Sequence, residues 1–448
     1  MPVGTELRAH RGAVLHFRSD PGAHSDPASF EFFDDGLLVV AAGHITALGP
    51  ARELLPGLPR DTAVISHGDN ILIPGFVDTH VHYPQTDIIA SGGGALFDWL
   101  QDYTYPTEAA FAQPAHARSV AEFFLDELLR NGTTTAMVFC TVHRGSVEEF
   151  FQAAAVRELR LVAGKVLMDR NCPENLRDTL QSGERDSREL IGRWHDQGRL
   201  KYAITPRFAV TSSEGQLASA GRLAREFPDS LIQSHLAENL AEVAWVKQLF
   251  PQARSYLDVY DRFGLLRERA VYAHCIHLDA TDRARMAQAG AAAAFCPSSN
   301  LQLGSGLFDL SAADAAGMRF AMGTDVGAGS SFCMLRTLAA AYQVAQLSQQ
   351  VLPALRAFYL ATLGGARALG LEDKVGSLAV GNEADFIVLD LKPTPLIARR
   401  TAQARTLAEK LLVLMTLGDE RAVSQTYVLG RLQCPPPHRA HDSSGVHA

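Results

Sequence analysis

The stretch Ile71-Leu-Ile-Pro-Gly-Phe-Val-Asp-Thr-His-Val-His-Tyr83 decides the fold. It is an apolar run that delivers two histidines at its C-terminal end. His80 and His82 are two residues apart, so on a strand both point to one face. Seven more short apolar runs follow, at 134–142, 160–168, 200–208, 231–238, 270–277, 291–297 and 319–326. Helical patterns such as 117–131 and 213–227 separate most of them. Strand and helix in alternation is the signature of parallel β/α units. Eight units predict an α/β fold of the TIM-like (β/α)₈ barrel type, with its chemistry at the C-terminal ends of the strands.

The polar residues test that prediction. Strand five ends in Ser234-His235-Leu236-Ala237-Glu238, strand six in Ala273-His274-Cys275, and strand eight in Gly323-Thr324-Asp325. Four separate strands, with strand one, thus end in a histidine or an aspartate, and a barrel would bring them to one mouth. Several imidazoles and a carboxylate suit a borderline metal such as Zn²⁺. Bound Zn²⁺ lowers the pKa of water to about 7, and a nearby carboxylate can then move protons. Glu238, just past strand five, is the candidate for that. His143 follows strand two, and its place at the mouth stays open. His277 would face the other way on an uninterrupted strand. His195 lies in a polar helical stretch and reads as a surface residue, and His10, His24, His438, His441 and His447 lie near the ends of the chain or in Pro/Ser-rich segments.

Working outward, both ends of the chain are β-rich. The runs 12–17, 31–40 and 44–48 match in texture 386–389 and 424–432. The division expected is a composite small β domain from 1–70 and 376–434, a barrel at 71–375, and a loose tail at 435–448. The tail is rich in Pro, Ser and His and has no apolar periodicity. Hydrophobic residues make up 47% of the 448, and the net charge is −8. That excludes a disordered chain, and the absence of a long Lys/Arg run argues against a nucleic-acid groove. No apolar run reaches the ~18 residues of a membrane span, and no signal peptide is visible at the start. The six cysteines are scattered without a C-x-x-C pair, so the expected setting is the reducing cytoplasm.

The segment Pro74-Gly-Phe-Val-Asp-Thr-His-Val-His82, the later His235 and His274, and Gly323-Thr324-Asp325 resemble the amidohydrolase superfamily over about residues 8–433. Other pieces resemble its guanine deaminase branch. These are Pro84-Gln85-Thr86-Asp87, Asp98-Trp99-Leu100, Tyr103-Thr-Tyr-Pro-Thr-Glu108, Thr205-Pro206-Arg207-Phe208, His235-Leu-Ala-Glu-Asn239 and Cys296-Pro-Ser-Ser-Asn300. The resemblance implies a metal-centred barrel with a small β-sandwich built from both termini. It implies one Zn²⁺ held by His80, His82, His235 and Asp325, with His274 hydrogen-bonded to the attacking water. Asp325 would accept the proton of that water, and Glu238 would bind the base and protonate a ring nitrogen. Gln85 and Arg207 would hydrogen-bond the purine, and Phe208 would pack on its ring. The implied reaction is hydrolytic deamination of guanine to xanthine and ammonia, by a homodimer that acts on a free base.

Two features depart from the superfamily pattern. Many members bridge a second metal with a carbamylated lysine at the end of strand four, where this chain has Thr205-Pro206-Arg207-Phe208. Lys201 lies at the start of that strand and Lys165 inside strand three, so one metal is expected. Gly92-Gly93-Gly94 predicts a flexible loop beside the site that bears on specificity. It lacks the G-x-x-x-x-G-K-[ST] phosphate pattern. Trp99 reads as lid or core packing. The H-x-E with P-C-x-x-C signature of the other base deaminases is absent. Two other readings remain: an aminohydrolase or chlorohydrolase acting on 8-oxoguanine, a pterin, a triazine or cytosine, and a catalytically dead barrel serving as a scaffold.

Overall fold

Eight parallel strands, at Phe76–His82, Thr133–Phe139, Arg160–Gly164, Leu200–Pro206, Leu231–Leu236, Ala270–His274, Ala292–Phe295 and Arg319–Met322, pair side by side in chain order in the computed structural model. It describes residues 7–92 and 94–434; the expected tail at 435–448, residues 1–6 and Gly93 lie outside the described residues. The circle closes between strands eight and one. Thr79 Oγ1 donates to the Met322 carbonyl at 2.9 Å, the Asp325 N–H to His80 O at 2.9 Å, and the His82 N–H to Val326 O at 2.8 Å. Each of the eight expected runs falls on one barrel strand, the second strand starting one residue before its run, at Thr133.

These strands read as near-continuous apolar runs because both their faces are covered. Val77, Met137, Val162, Ala203, Val271, Ala292 and Ala321 share one cluster with Ala366 and Leu369, which stop the N-terminal end of the barrel. The outer helices bury one stripe each. Pro114–Arg130 buries Ala117, Val120, Ala121, Phe124, Leu125 and Leu128 at helical spacing. Glu214–Glu226 starts where the Ser213 hydroxyl accepts from the Gln216 N–H.

Strands from both ends of the chain form a second sheet. Arg8–Phe17 pairs antiparallel with Phe30–Ala41 and parallel with Ala63–Pro74. Ala63–Pro74 pairs with Phe386–Leu389, and Val423–Val428 and Arg431–Cys434 continue the sheet on that side, as His44–Pro50 does on the other. The small β unit expected from both termini is thus present, its seven strands hydrogen-bonded in one continuous order. The run at 71–83 also divides. Leu72, Ile73 and Pro74 pair with Val388, Ile387 and Phe386, and only Phe76 onward enters the barrel. Gly75 marks the crossing, where a Cβ would lie 2.1 Å from Thr134 Oγ1.

A charged clasp joins this sheet to the barrel. Arg160 opens strand three and Arg199 precedes strand four. Arg160 Nε donates to Glu383 Oε2 at 2.6 Å, and Arg199 Nη2 donates to the same oxygen at 2.6 Å and to Asp385. All four side chains are under 10% exposed. Among the described residues no helix is long and apolar enough to cross a membrane.

Candidate active site

The sequence's four ligand-type strand ends meet at the C-terminal mouth of the barrel. A bulge between Asp78 and Val81 reshapes the end of strand one. Asp78 braces it, accepting from the His80 and Thr324 N–H groups at 3.2 and 3.0 Å and from the Thr324 hydroxyl. Burial pushes the Asp78 carboxyl up to about 6. His80 Nε2 lies 3.2 Å from His82 Nε2, and His82 Nε2 lies 3.3 Å from His235 Nε2. Asp325 Oδ1 lies 3.2 Å from His80 Nε2 and 3.4 Å from His82 Nε2.

These separations have a metric meaning. Ligands about 2.0–2.1 Å from a tetrahedral metal are about 3.3–3.4 Å from one another. Four of the six pairs among these donors therefore stand at the spacing that a four-coordinate ion requires. The protonation of His82, His235 and Asp325 fits as well. Burial pushes His82 down to about 3 and His235 well below its ordinary value, so both imidazoles are neutral. Burial alone would raise Asp325, but His80, His82 and His274 hold it well below the usual carboxylate range. His235 Nδ1–H donates to the Arg207 carbonyl at 2.6 Å, which leaves its Nε2 lone pair facing the cluster. Neutral imidazoles and an ionised carboxylate are what a divalent cation needs.

Nε2-type donors of His80, His235 and His274 lie within 4.8 Å of one another, and so do donors of His80, Cys296 and Asp325. His274 is thus close enough to serve the same centre. Its Nδ1–H donates to Asn300 Oδ1 at 2.9 Å, and its Nε2 lies 3.4 Å from Glu238 Oε2 and 3.9 Å from Asp325 Oδ2. Cys296 is a poorer donor. Burial, followed by the Asp325 charge, pushes its thiol well above the ordinary range, and only the thiolate binds metal strongly.

Above the cluster lies a pocket lined by His82, Gln85, Arg207, Phe208, His235, Glu238, His274 and Asp325. His80 sits beneath its floor, 2% exposed. Every site residue expected from the sequence is therefore in one place. Glu238 is 3% exposed and accepts from the Ser305 hydroxyl at 2.9 Å. Burial and the Asp325 charge push its carboxyl up to about 8, so it carries a proton at neutral pH. The Phe208 ring stands edge-on to His235 with centroids 6.4 Å apart. Trp99 is 5% exposed and lines the pocket, as do Leu96, Leu100, Leu303 and Ala328.

Other residues stay out. His143 precedes the helix Arg144–Val156 and does not line the pocket. His277 donates to Ser305 O at 2.9 Å, under the loop that holds Glu238. Lys165 is fully buried against Asp178 at 2.5 Å, and Lys201 pairs with Asp196. Gly92 is described, with positive φ, while the rest of the expected glycine loop includes the undescribed Gly93.

A profile of the Amidohydrolase family matches residues 71–432 of this chain. The chain belongs to that family. Over 427 residues it is 47% identical to the guanine deaminase of Escherichia coli, covering 95% of this chain and 97% of that protein. It is 41% identical over 431 residues to the probable guanine deaminase of Deinococcus radiodurans, covering 95% and 98%. The solved structure of the E. coli protein superposes with a TM-score of 0.94 at 46% identity, over 96% of this chain and 99% of that one. A guanine deaminase from C. acetobutylicum, solved with bound guanine in its active site, superposes at 0.86 and 30% identity, over 95% and 100%.

Several residues of this amidohydrolase site gave no sign of their role in the sequence. Asn300 sets the His274 tautomer, Ser305 holds Glu238, and the apolar wall comes from leucines that read as ordinary core. The backbone at Ala237, His274, Cys275 and Asp325 is left-handed, with φ of 50°, 71°, 53° and 50°. Such conformations cost non-glycine residues about 1–3 kcal/mol each and cluster at functional sites. Only a rule tying strand ends to chemistry could have marked them in advance.

Proposed function

We propose that this chain removes the 2-amino group of guanine by hydrolysis, giving xanthine and ammonia in guanine catabolism, with one zinc ion per chain. The observation that carries the proposal is the meeting of two chemistries in one pocket. A protonated carboxyl and the imidazole–carboxylate cluster line it together with the Gln85 amide and the Arg207 guanidinium, and Phe208, Leu96, Trp99 and Leu100 supply apolar wall. The kinship with guanine deaminases supports the choice of base.

His80, His82, His235 and Asp325 would hold the cation, which when bound supplies the Lewis acidity that makes water nucleophilic near neutral pH. Guanine lies with C2 toward Glu238 and His274. Glu238 gives its proton to N3, which makes C2 electrophilic. Asp325 takes the proton of the attacking water, and His274, held by Asn300, offers its Nε2 as hydrogen-bond partner to that water. The C2–O bond forms; Asp325 then gives the proton it took to the amine, the C2–N bond breaks and ammonia leaves, while the C2 hydroxyl proton passes back to Glu238, leaving the 2-oxo product. Arg207, which has only donors, meets the acceptor edge of the base at O6 and N7, with Gln85 beside it. A pocket built on such hydrogen bonds rejects bases that lack their partners more strongly than an apolar one does.

The buried unpaired thiols of Cys140, Cys172, Cys275, Cys296 and Cys333 support a reducing compartment, the cytoplasm. The same reading carries the homodimer as the working assembly, and light scattering of the purified chain would give twice the chain mass. A panel of guanine, 8-oxoguanine, a pterin, a triazine and cytosine tests the substrate. The highest kcat/KM on guanine is expected; a higher value on any other member would replace the assignment.

A further inference from the structure

We propose that Glu108 is a positioning residue that locks the polarity of the base-recognising edge and so makes the pocket choose a 6-oxo over a 6-amino purine; this rests on the purine-base reading above.

Glu108 lies on the short helix Tyr105–Ala109, in a loop that follows the first barrel strand, and is fully buried. It does not line the pocket. It nonetheless reaches two polar residues that do, Gln85 and Arg207. Arg207 Nη1 donates to Glu108 Oε1 at 2.9 Å and Oε2 at 2.7 Å. Gln85 Nε2 donates to Glu108 Oε1 at 3.2 Å. On its other side, Gln85 Oε1 accepts from the Gly327 N–H at 3.1 Å.

The two ends of that amide cannot be exchanged. A carboxylate only accepts and a backbone N–H only donates, so Gln85 must turn nitrogen to Glu108 and oxygen to Gly327. The amide's remaining N–H is thereby fixed in place. Arg207 is fixed in the same way: its Nη1 is spent on Glu108, and Tyr105 from the same short helix lies 5.7 Å from its guanidinium carbon. Its remaining N–H groups are the donors left for a base. The edge presented to a purine is therefore rich in donors and cannot reorganise to meet a 6-amino group.

Arg207 is 3% exposed, and an unpaired guanidinium there would be strongly disfavoured. Glu108 neutralises it without using the pocket face, so a neutral base meets directed donors rather than a net positive field. The Tyr103-Thr-Tyr-Pro-Thr-Glu108 segment thus carries both the counter-charge and the wall behind the recognition pair.

Glu108→Gln removes this logic while keeping size. The new amide either offers a donor to Gln85, forcing that side chain to flip against the Gly327 N–H, or leaves one of its own atoms unpaired. The test measures binding of hypoxanthine and adenine, which differ at C6 and lack the 2-amino group that leaves, by calorimetry on metal-loaded protein. Guanine turnover is followed in parallel, with melting temperature and metal content as controls. The expected result is a fall of about tenfold in the hypoxanthine-to-adenine preference, the loss of one charge-assisted hydrogen bond. KM for guanine should rise by a similar factor while kcat stays within about threefold, since the reacting end of the pocket is untouched. Glu108→Asp keeps the charge and both acceptors at shorter reach, and should recover part of the preference. A folded Glu108→Gln with unchanged preference would overturn the proposal. If that variant does not fold, Glu108→Asp decides: an unaltered preference and KM would overturn it, a partial loss would support it. Failure of the unaltered chain to turn over guanine while it still prefers hypoxanthine would count against the reaction and not against Glu108. Equal binding of both bases by the unaltered chain would count against Glu108 alone if guanine is still turned over.

Discussion

Glu383→Gln in the clasp between the two sheets should lower stability without touching catalysis. In the native chain this carboxylate sits between the guanidiniums of Arg160 and Arg199, each under 10% exposed. Burial alone would raise its pKa, but the two arginines hold it below its ordinary value near 4.5. The amide is nearly the same size, so no cavity forms; what changes is that Arg160 loses its carboxylate partner and keeps the Arg199 carbonyl, while Arg199 keeps Asp385. Breaking a buried charged partnership costs about 3–5 kcal/mol. An unfolding entropy of about 2.1 cal/mol/K per residue gives about 0.9 kcal/mol/K for 448 residues, so the melting point should fall by about 3–5 °C. The pH dependence has a definite sign. A carboxylate with a depressed folded pKa contributes its stability above about 4.5 and loses it as pH falls, so the gap between variant and wild type should close in acid. Calorimetric melting at pH 7 and pH 4 is the assay, with the exposed pair partner Asp69→Asn as a control expected to change nothing. A variant that melts with the wild type at pH 7, or a gap that widens in acid, would refute this reasoning.

Four further outcomes follow from the site. Glu238→Gln should keep its metal and lose about 10²–10⁴ in kcat on guanine, since a general acid is removed and its shape retained; near-normal turnover would remove Glu238 from the proton path. His82→Ala should purify with little metal and no activity, measured by elemental analysis beside the assay, because three of the four 3.2–3.4 Å donor contacts end on that imidazole. Gly327→Ala places a Cβ 2.3 Å from the Gln85 carbonyl oxygen, so KM for guanine should rise more than kcat falls. Phe208→Ala should weaken base binding with metal content intact, a loss read as KM in the same assay.

The barrel was legible because its strands are buried on both faces and so stand out as apolar runs, and because polarity is consistent: His80, His235, His274 and Asp325 all fall at C-terminal strand ends. The boundary at Pro74-Gly75 was not, since Ile71–Pro74 and Phe76–His82 form one apolar run and only strand pairing divides them. The small unit's strand order was hidden for a related reason. Its strands come from ends of the chain more than three hundred residues apart, and alternation says nothing about which edges meet. In the site, residue types marked the candidate metal donors, while the residues that support them carried no such mark. Glu108 is an acidic residue in a polar loop, and nothing local distinguishes a buried brace from a solvated carboxylate. Ser305 and Asn300 act through contacts with Glu238 and His274, 67 and 26 residues away in sequence.

The most direct test of the central claim is ammonia release together with the ultraviolet change from guanine to xanthine, on purified protein whose metal is quantified in the same sample. Stoichiometric xanthine and ammonia with about one zinc per chain are expected, with loss of both metal and turnover on chelation. Zinc-loaded, folded protein that leaves guanine unchanged would contradict it.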